Sequence, residues 1–378
     1  MLIQCTKTLL DKIGVKSSDL ASTEGFEELP ISFMAWHANF VSINRRKAII
    51  LMNNATRYTV MIYRPNTKDF TKIKENIREA VEEALRMEGI KKEVIDSYFS
   101  KSGEITFAKT GSRSMLGKLN NTVLQVEFML DEIDENKKFQ KSISLITGRD
   151  IQSEGNNSIY YPYEKLSECL RMVYGRKDIF DVTLYQLKIN LDVAGHEIWR
   201  RVLVPSTFSF EHLHNIIQTV FDWQDAHLHE FEVDREEKKT LKIIMDDYDQ
   251  GSFNPECFEV LQERFVALED IFPVHQEIHY EYDFGESWIH TITLELVVQS
   301  EQLQAVYMEG KGERPPEDVG GEGGFEEYLQ IISDPTHPDH EHMKSWAESQ
   351  RERILIPEKI NKRLKYVLNG YQYSIYGL

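Results

Sequence analysis

Short strand-like segments occur in runs along this chain and do not alternate regularly with helices. In the first half, residues 33–43, 47–52 and 57–63 are rich in apolar side chains, and a helical spacing of apolar residues begins only after them. The second half opens similarly, with strand-like segments at 182–193 and 197–204. Such runs favour antiparallel sheets over the parallel sheets of alternating strand–helix proteins. The sequence therefore predicts an α+β fold of two domains, each a mainly antiparallel sheet packed with helices.

The length of the chain, 378 residues, is too great for one ordinary hydrophobic core and suits two domains. Polar segments at 131–142 and 153–158 lack the apolar content of a core and are interpreted as linkers. We expect an N-terminal α+β domain, a linker with a connecting helix, an acidic α+β domain and a C-terminal tail. In that order, these parts are residues 1–130, 131–176, 177–355 and 356–378.

Charge is distributed very unevenly between the two halves. Residues 1–175 hold 25 Lys and Arg against 23 Asp and Glu, a net charge of +2, whereas residues 176–378 hold 19 against 39, a net charge of −20. All but one of the 12 histidines also lie in the second half. Because an acidic surface repels phosphate backbones, direct DNA binding by the C-terminal domain is disfavoured. Such a surface suits another protein as a partner, or a metal ion.

The cysteines and the hydropathy pattern favour a cytoplasmic protein. Cys5, Cys169 and Cys257 are far apart, odd in number and form no CxxC pair, which disfavours a disulfide framework and a cysteine zinc site. Residues 1–14 carry charged side chains where a signal peptide would be apolar, and they are interpreted as the first strand and helix of the fold. No apolar stretch approaches the roughly 20 residues of a transmembrane helix. We therefore expect reduced thiols and no membrane contact.

Four strings of the second half resemble, in order, the plasmid pRiA4b open-reading-frame family. They are IWRRVLVPSTFSFEHLHNIIQTVFDW, AHLHEFEV, YEYDFGESWIHTITLE and RPPEDVGGEGGFEEYLQIISDPTHPDHE, between residues 198 and 341. The resemblance implies an α+β domain of bacterial and plasmid proteins, some of whose relatives are described as transposon resolvases or repressors. Family members often carry Cys where this chain has Arg314 and Val319, so a site that needs those thiols is absent here. The first half resembles a separate bacterial domain of unknown function, through WHANF and SRSMLGKLNN.

Histidines and carboxylates in these strings form a candidate metal site. The strand alternation predicts that His227 and His229 share one face of a strand at 227–233, and that His290 lies on the apolar face of a hairpin at 277–298. On the same alternation Asp283 faces outward. Together with two carboxylates of the PPED string, the candidate ligands are His227, His229, Asp283, His290, Glu317 and Asp318. Mixed imidazole and carboxylate ligands suit zinc, manganese or magnesium. The alternative is that each histidine is an ordinary core residue with a hydrogen-bonded ring.

Complete catalytic motifs are not found in the sequence. There is no GxSxG string and no cysteine in a nucleophile motif. The string GSRSMLGK at 111–118 approaches a phosphate-binding loop, but five residues separate its glycines and Leu119 follows its lysine. We interpret it as a structural turn, with an anion-holding turn through Arg113 and Ser114 as the alternative.

Three functions remain open at this stage. The charge distribution favours a non-catalytic binding or regulatory protein that acts through its acidic C-terminal domain. The candidate ligands instead favour a metal-dependent hydrolase or nuclease. The family resemblance alone suggests an accessory factor of a mobile element, which would contact DNA through the first half or through four basic residues near the C-terminus. These are Lys359, Lys362, Arg363 and Lys365.

Overall fold

A computed structural model of the chain describes residues 1–26, 28–154, 158–235, 239–245, 253–350 and 356–369. It divides into two compact units, Met1–Asp181 and Val182–Val367. Each unit is a sheet packed with helices, which confirms the predicted two-domain α+β fold. None of the helices in the described ranges combines the length and the apolar character needed to cross a bilayer.

The first unit contains seven strands and seven helices among the described residues. Its strands are β1 (Leu2–Cys5), β2 (Ala35–Ile43), β3 (Arg46–Asn53), β4 (Thr59–Tyr63), β5 (Thr106–Lys109), β6 (Gln152–Glu154) and β7 (Ser158–Tyr160). Its helices are α1 (Lys7–Ile13), α2 (Thr67–Thr71), α3 (Ile73–Met87), α4 (Lys92–Ser102), α5 (Arg113–Glu127), α6 (Lys141–Arg149) and α7 (Pro162–Tyr174). The string interpreted as a turn at 111–118 instead begins α5, with Ser112 as its N-cap.

The main sheet of this unit is mixed, with the strand order β4-β3-β2-β1-β5. The pairs β2–β3 and β3–β4 are antiparallel, as the three consecutive strand patterns predict. Strand β1 pairs in parallel with both β2 and β5, so this sheet is less antiparallel than the sequence suggests. The cause is the connection through α1, since parallel neighbours need a crossover segment and cannot be joined by a tight turn.

The segment interpreted as a linker and connecting helix, residues 131–176, lies within the first unit. Ile133 is buried there, and Phe139 forms an isolated β-bridge with Ile62. A few well-placed apolar residues are thus enough to fix a polar stretch to a sheet edge. Of the second linker interpretation, residues 155–157 lie outside the described residues.

The second unit contains eight strands and four helices among the described residues. Its strands are β8 (Val182–Leu191), β9 (Ile198–Pro205), β10 (His229–Val233), β11 (Thr240–Ile244), β12 (Phe258–Gln262), β13 (Glu277–Tyr282), β14 (Trp288–Ser300) and β15 (Val306–Lys311). Its helices are α8 (Phe210–Phe221), α9 (Gly321–Ser333), α10 (His340–Ser349) and α11 (Pro357–Leu364). All strands form one sheet in the order β12-β11-β10-β13-β14-β8-β9-β15, and only β11–β12 is a parallel pair.

Helix α8 covers the central strands of this sheet. It begins at Phe210, because the Ser209 hydroxyl caps it by accepting a hydrogen bond from the backbone N–H of His212. Its apolar face is buried, and Phe210 packs edge-on against Phe231 of β10. The helix ends at Asp222, and the chain then turns back to β10 through a short loop at 222–228. That loop carries the first residue of the candidate site.

Candidate metal centre

Three segments that are distant in sequence meet in the second unit, at the end of the sheet where β10 begins and β13 ends. His229, at the start of β10, is paired with Tyr282, at the end of β13. Because the pair is antiparallel, the residues just before β10 and just after β13 lie side by side, and these include His227 and Asp283. The loop that precedes α9 supplies the third segment, with Asp318.

The ring of His227 is the centre of the group. Its Nε2 atom lies 3.2 Å from Asp318 Oδ1, 3.6 Å from Asp283 Oδ2 and 3.8 Å from Glu317 Oε2. This nitrogen is shielded from solvent, yet it has no hydrogen-bond partner among the described residues. One ligand atom from each of His227, Asp283 and Asp318 lies within 4.8 Å of the other two.

These separations match the spacing of atoms around an ion better than the spacing of hydrogen bonds. Metal–ligand bonds of about 2.0–2.2 Å place neighbouring ligand atoms about 3–3.5 Å apart. A hydrogen bond between an imidazole and a carboxylate is shorter, about 2.7–2.9 Å. The distances from His227 Nε2 to Asp318 and Asp283 are therefore compatible with ligands that share one ion.

Asp283 is buried, which corrects the expectation that it faces outward. Strand β13 ends at Tyr282, and Asp283 takes a left-handed conformation with φ 58°, so the strand alternation no longer applies to it. Its Oδ1 accepts the backbone N–H of Gly285 at 2.9 Å, which leaves Oδ2 directed at His227. Asp318 has a similar φ of 56°. Left-handed non-glycine residues cost conformational energy and are concentrated at functional sites.

Glu317 adds a buried negative charge beside the group. Its carboxylate accepts the backbone N–H of Gln224 at 2.7 Å. Burial raises the pKa of Glu317, as does the charge of Asp318, whereas the backbone N–H of Gln224 and the charge of Arg314 act in the opposite direction. Among the described residues, no Lys or Arg forms an ion pair with Asp283, Glu317 or Asp318. The site thus gathers three carboxylates whose mutual repulsion a cation would relieve.

Glycines shape the loop that carries Glu317 and Asp318. Gly320 has φ 95°, a conformation that side-chain-bearing residues rarely adopt. At Gly324, an added Cβ would lie 1.9 Å from the carbonyl oxygen of Val319, so the first turn of α9 can close on the loop only without a side chain there.

His229 does not join the group, although the sequence placed it among the candidate ligands. Its Nε2 lies 2.8 Å from Glu263 Oε2, and its ring stacks on that of His214 at 3.5 Å. Burial would raise the pKa of Glu263, but the hydrogen bond and charge of His229 outweigh it and lower that pKa. His227 lies outside β10, so the two histidines do not share the face of one strand.

His290 is also separate from the group and is fully buried. Its Nδ1 donates to the backbone oxygen of Trp288 at 3.0 Å, and its Nε2 accepts the indole N–H of Trp223 at 3.3 Å. Burial lowers its pKa to about 4, so the ring is neutral at pH 7. Both nitrogens are satisfied by the protein, and His290 is an ordinary core histidine as the alternative interpretation had it.

Two residues that support the site were not recognised as such in the sequence. The Tyr282 hydroxyl accepts the backbone N–H of Ala226 at 3.0 Å, and Gln218 Oε1 accepts the backbone N–H of Asp225 at 2.8 Å. The alternation of β13 does predict that Tyr282 is buried. Its contact with the loop at 222–228 depends on tertiary packing, for which the sequence holds no signal.

Comparison with known proteins identifies the domains but no activity. Residues 183–362 match the family model of plasmid pRiA4b ORF-3-like proteins, and residues 2–165 match a domain of unknown function, DUF6933. An uncharacterized protein of Sinorhizobium fredii, y4hQ, is 29% identical over 168 residues, which are 44% of this chain and 82% of that protein.

A solved structure is similar to part of the chain as well. It is a protein of unknown function from Methanosarcina mazei Go1, with 32% identity and a TM-score of 0.39, covering 44% of this chain and 89% of that one. The family matches agree with the resemblances seen in the sequence. The N-terminal part of the chain thus matches the DUF6933 model, and the C-terminal part matches the model of plasmid pRiA4b ORF-3-like proteins.

Proposed function

We propose that the C-terminal domain is a metal-binding domain that holds one divalent ion through His227, Asp283 and Asp318. The observation that carries the proposal is the His227 Nε2 atom, which is shielded from solvent, lacks a hydrogen-bond partner and faces three carboxylates at 3.2–3.8 Å. A buried polar atom without a partner is costly, and a metal bond would remove that cost. Glu317 lies behind these ligands and contributes negative charge.

The ligand types favour zinc or manganese. Imidazole is a good ligand for zinc, and carboxylates are good ligands for manganese and magnesium. Magnesium, however, keeps several bound waters and favours oxygen ligands. A site built from one neutral imidazole and two carboxylates, with further negative charge nearby, fits zinc best.

Calorimetric titration of the full chain, stripped of metal with a chelator, tests this proposal. We expect one zinc ion to bind per chain, with manganese weaker and magnesium weakest. His227→Ala and Asp283→Asn should each reduce the zinc affinity at least about tenfold, since each removes a ligand. Asp283→Asn keeps an oxygen that can accept from Gly285, so the turn itself should survive.

His342→Ala is the matched control, because His342 is an exposed histidine of the same domain. Its affinity for zinc should equal that of the wild type. The proposal fails if none of the three ions binds in a one-to-one ratio, or if His227→Ala binds zinc as tightly as the wild type.

A metal-dependent hydrolase is the second candidate, and one observation favours it. The Asp318 side chain is 69% exposed, so an ion bound there would face solvent on one side. Catalytic zinc sites keep such an open position for water, whereas structural sites are closed. Three carboxylates balance the divalent ion and the nearby guanidinium of Arg314, so the site has no net positive charge to attract an anionic phosphodiester, which disfavours a nuclease.

The two candidates differ in a simple assay. A hydrolase should cleave a neutral nitrophenyl ester in a zinc-dependent manner and cleave a nitrophenyl phosphodiester much more slowly. Binding without turnover of either probe would leave the metal-binding domain as the function. The docking of another protein on the acidic domain, inferred from the charge distribution, stays a separate prediction.

A further inference from the structure

The middle of the loop at 222–228 is held by hydrogen bonds to side chains. Three consecutive backbone N–H groups, those of Gln224, Asp225 and Ala226, donate to side-chain oxygens. The acceptors are Glu317 Oε1 at 2.7 Å, Gln218 Oε1 at 2.8 Å and Tyr282 Oη at 3.0 Å, respectively. The next residue in the chain is His227.

The acceptors come from three different elements of the second unit. Gln218 lies in α8, Tyr282 ends β13, and Glu317 lies in the loop before α9. All three are buried. A helix, a strand and a loop therefore fix the position of a segment of only three residues. This restricts where His227, the next residue, can lie.

The orientation of the Gln218 amide is fixed by a second hydrogen bond. Its Nε2 donates to the hydroxyl of Tyr280 at 3.1 Å, so its Oε1 is directed at the loop. The Asp225 side chain is held as well, since its Oδ1 lies 2.9 Å from His214 Nε2. Asp225 has a φ of 52°, and these contacts hold it in that conformation.

Tyr282 contacts more of the site than the other two acceptors. Its hydroxyl lies 3.4 Å and 3.5 Å from the two carboxylate oxygens of Glu317, to which it donates while it accepts from Ala226. Its ring meets the His227 ring edge-on, with 5.8 Å between the centroids. One side chain thus orients both the imidazole and the buried carboxylate beside it.

We infer that Tyr282 and Gln218 are positioning residues of the metal centre, which hold His227 Nε2 at the point where Asp283 and Asp318 converge. This inference rests on the proposed metal-binding function. Residues that orient metal ligands are worth about 10- to 100-fold in metal affinity, because they keep the ligand atom in place before the ion arrives. A tyrosine that only fills the core would affect folding stability without changing metal affinity.

The test compares Tyr282→Phe with Tyr185→Phe in the full chain. The Tyr185 hydroxyl also makes a buried hydrogen bond, to the backbone oxygen of Phe272 at 3.2 Å, but it contacts no part of the loop at 222–228. Tyr282→Phe should weaken zinc binding about 10- to 100-fold. Tyr185→Phe should leave zinc binding unchanged. Equal zinc affinity of the Tyr282→Phe variant and the wild type would overturn the inference.

Amide hydrogen exchange of the metal-free protein provides an independent readout. Removing the acceptor should make the amide of Ala226 exchange faster in Tyr282→Phe, and the amide of Asp225 faster in Gln218→Met. If wild-type protein binds no zinc, the proposed function fails, and the exchange rates alone then decide whether these side chains position the loop. Unchanged exchange in both variants would overturn the inference. Gln218→Met also serves if Tyr282→Phe does not fold.

Discussion

At the scale of single residues, the three histidines near the site differ in burial and in the hydrogen-bond partners of their rings. His290 and His229 are buried and have protein partners for a ring nitrogen. His227 is partly exposed, but its Nε2 faces carboxylates and has no hydrogen bond. His229 Nδ1 also lacks a hydrogen-bond partner among the described residues, so it is the three carboxylates around Nε2 that separate His227 from the two core histidines.

Because of His290, we expect the folded protein to lose stability in acid. Its pKa is lowered to about 4 by burial, whereas the unfolded chain takes up the proton near pH 6.5. Protonation would also place a hydrogen on Nε2, where it would repel the indole N–H of Trp223 that otherwise donates to this nitrogen. Stability should therefore fall as the pH drops from 6.5 towards 4, by up to about 3 kcal/mol from this residue alone.

Urea unfolding of the wild type and His290→Gln over this pH range measures that contribution. The variant cannot take up the proton, so its stability should depend less on pH in this window. Parallel stability curves for the two proteins would contradict the expectation.

A buried ion pair in the first unit predicts a large effect from one substitution. Arg149 donates to both carboxylate oxygens of Glu88, at 2.9 Å and 2.8 Å, and the Tyr58 hydroxyl donates to the same carboxylate at 2.8 Å. Arg149→Met leaves the buried Glu88 without its cation, which should cost about 3–5 kcal/mol of unfolding free energy.

Arg176→Met is the control for this measurement, since Arg176 pairs with Asp178 at an exposed position. Its stability should be close to that of the wild type in urea unfolding. A comparable, small loss in both variants would mean that the buried pair is not a major restraint on α6.

At the scale of elements, two adjacent glycines at the start of α9 should respond in opposite ways. Gly324→Ala would place Cβ against the carbonyl of Val319, one residue after Asp318, and should cost about 1–3 kcal/mol and weaken zinc binding. Gly323→Ala meets open space and should stabilise the helix by about 0.5–1 kcal/mol. Thermal unfolding and zinc titration of both variants check this pair. Similar behaviour of the two would show that the close approach at Gly324 is unimportant.

Helices and strands with local sequence signals could be predicted, whereas the candidate metal site could be predicted only in part. The Ser209 cap and the apolar spacing of helix α8 are local features, which the sequence alone contains. Alternation failed at Asp283, because a strand pattern holds no sign of the turn that ends it. For His290 the alternation was right, since the ring is buried on the apolar face of β14, but the ring bonds to Trp223 of another segment and does not reach the group.

At the scale of the whole molecule, the charge asymmetry predicts weak contact with DNA. The net charge of −20 on residues 176–378 far outweighs the +2 of residues 1–175, so the whole chain carries −18. Of the basic residues near the C-terminus, Arg363 lies 3.4 Å from the Asp222 carboxylate. Fluorescence anisotropy with a labelled duplex should show no binding at about 150 mM salt. Tight, steeply salt-dependent binding that Lys359→Ala and Lys362→Ala abolish would contradict this.

Anomalous diffraction from a crystal of the full chain grown with zinc tests the metal centre most directly. The structure predicts a peak about 2.0–2.2 Å from His227 Nε2, Asp283 Oδ2 and Asp318 Oδ1, with its remaining side open to solvent. The account would be contradicted by the absence of a peak at this position when His227 Nε2 is instead hydrogen-bonded directly to one of the carboxylates.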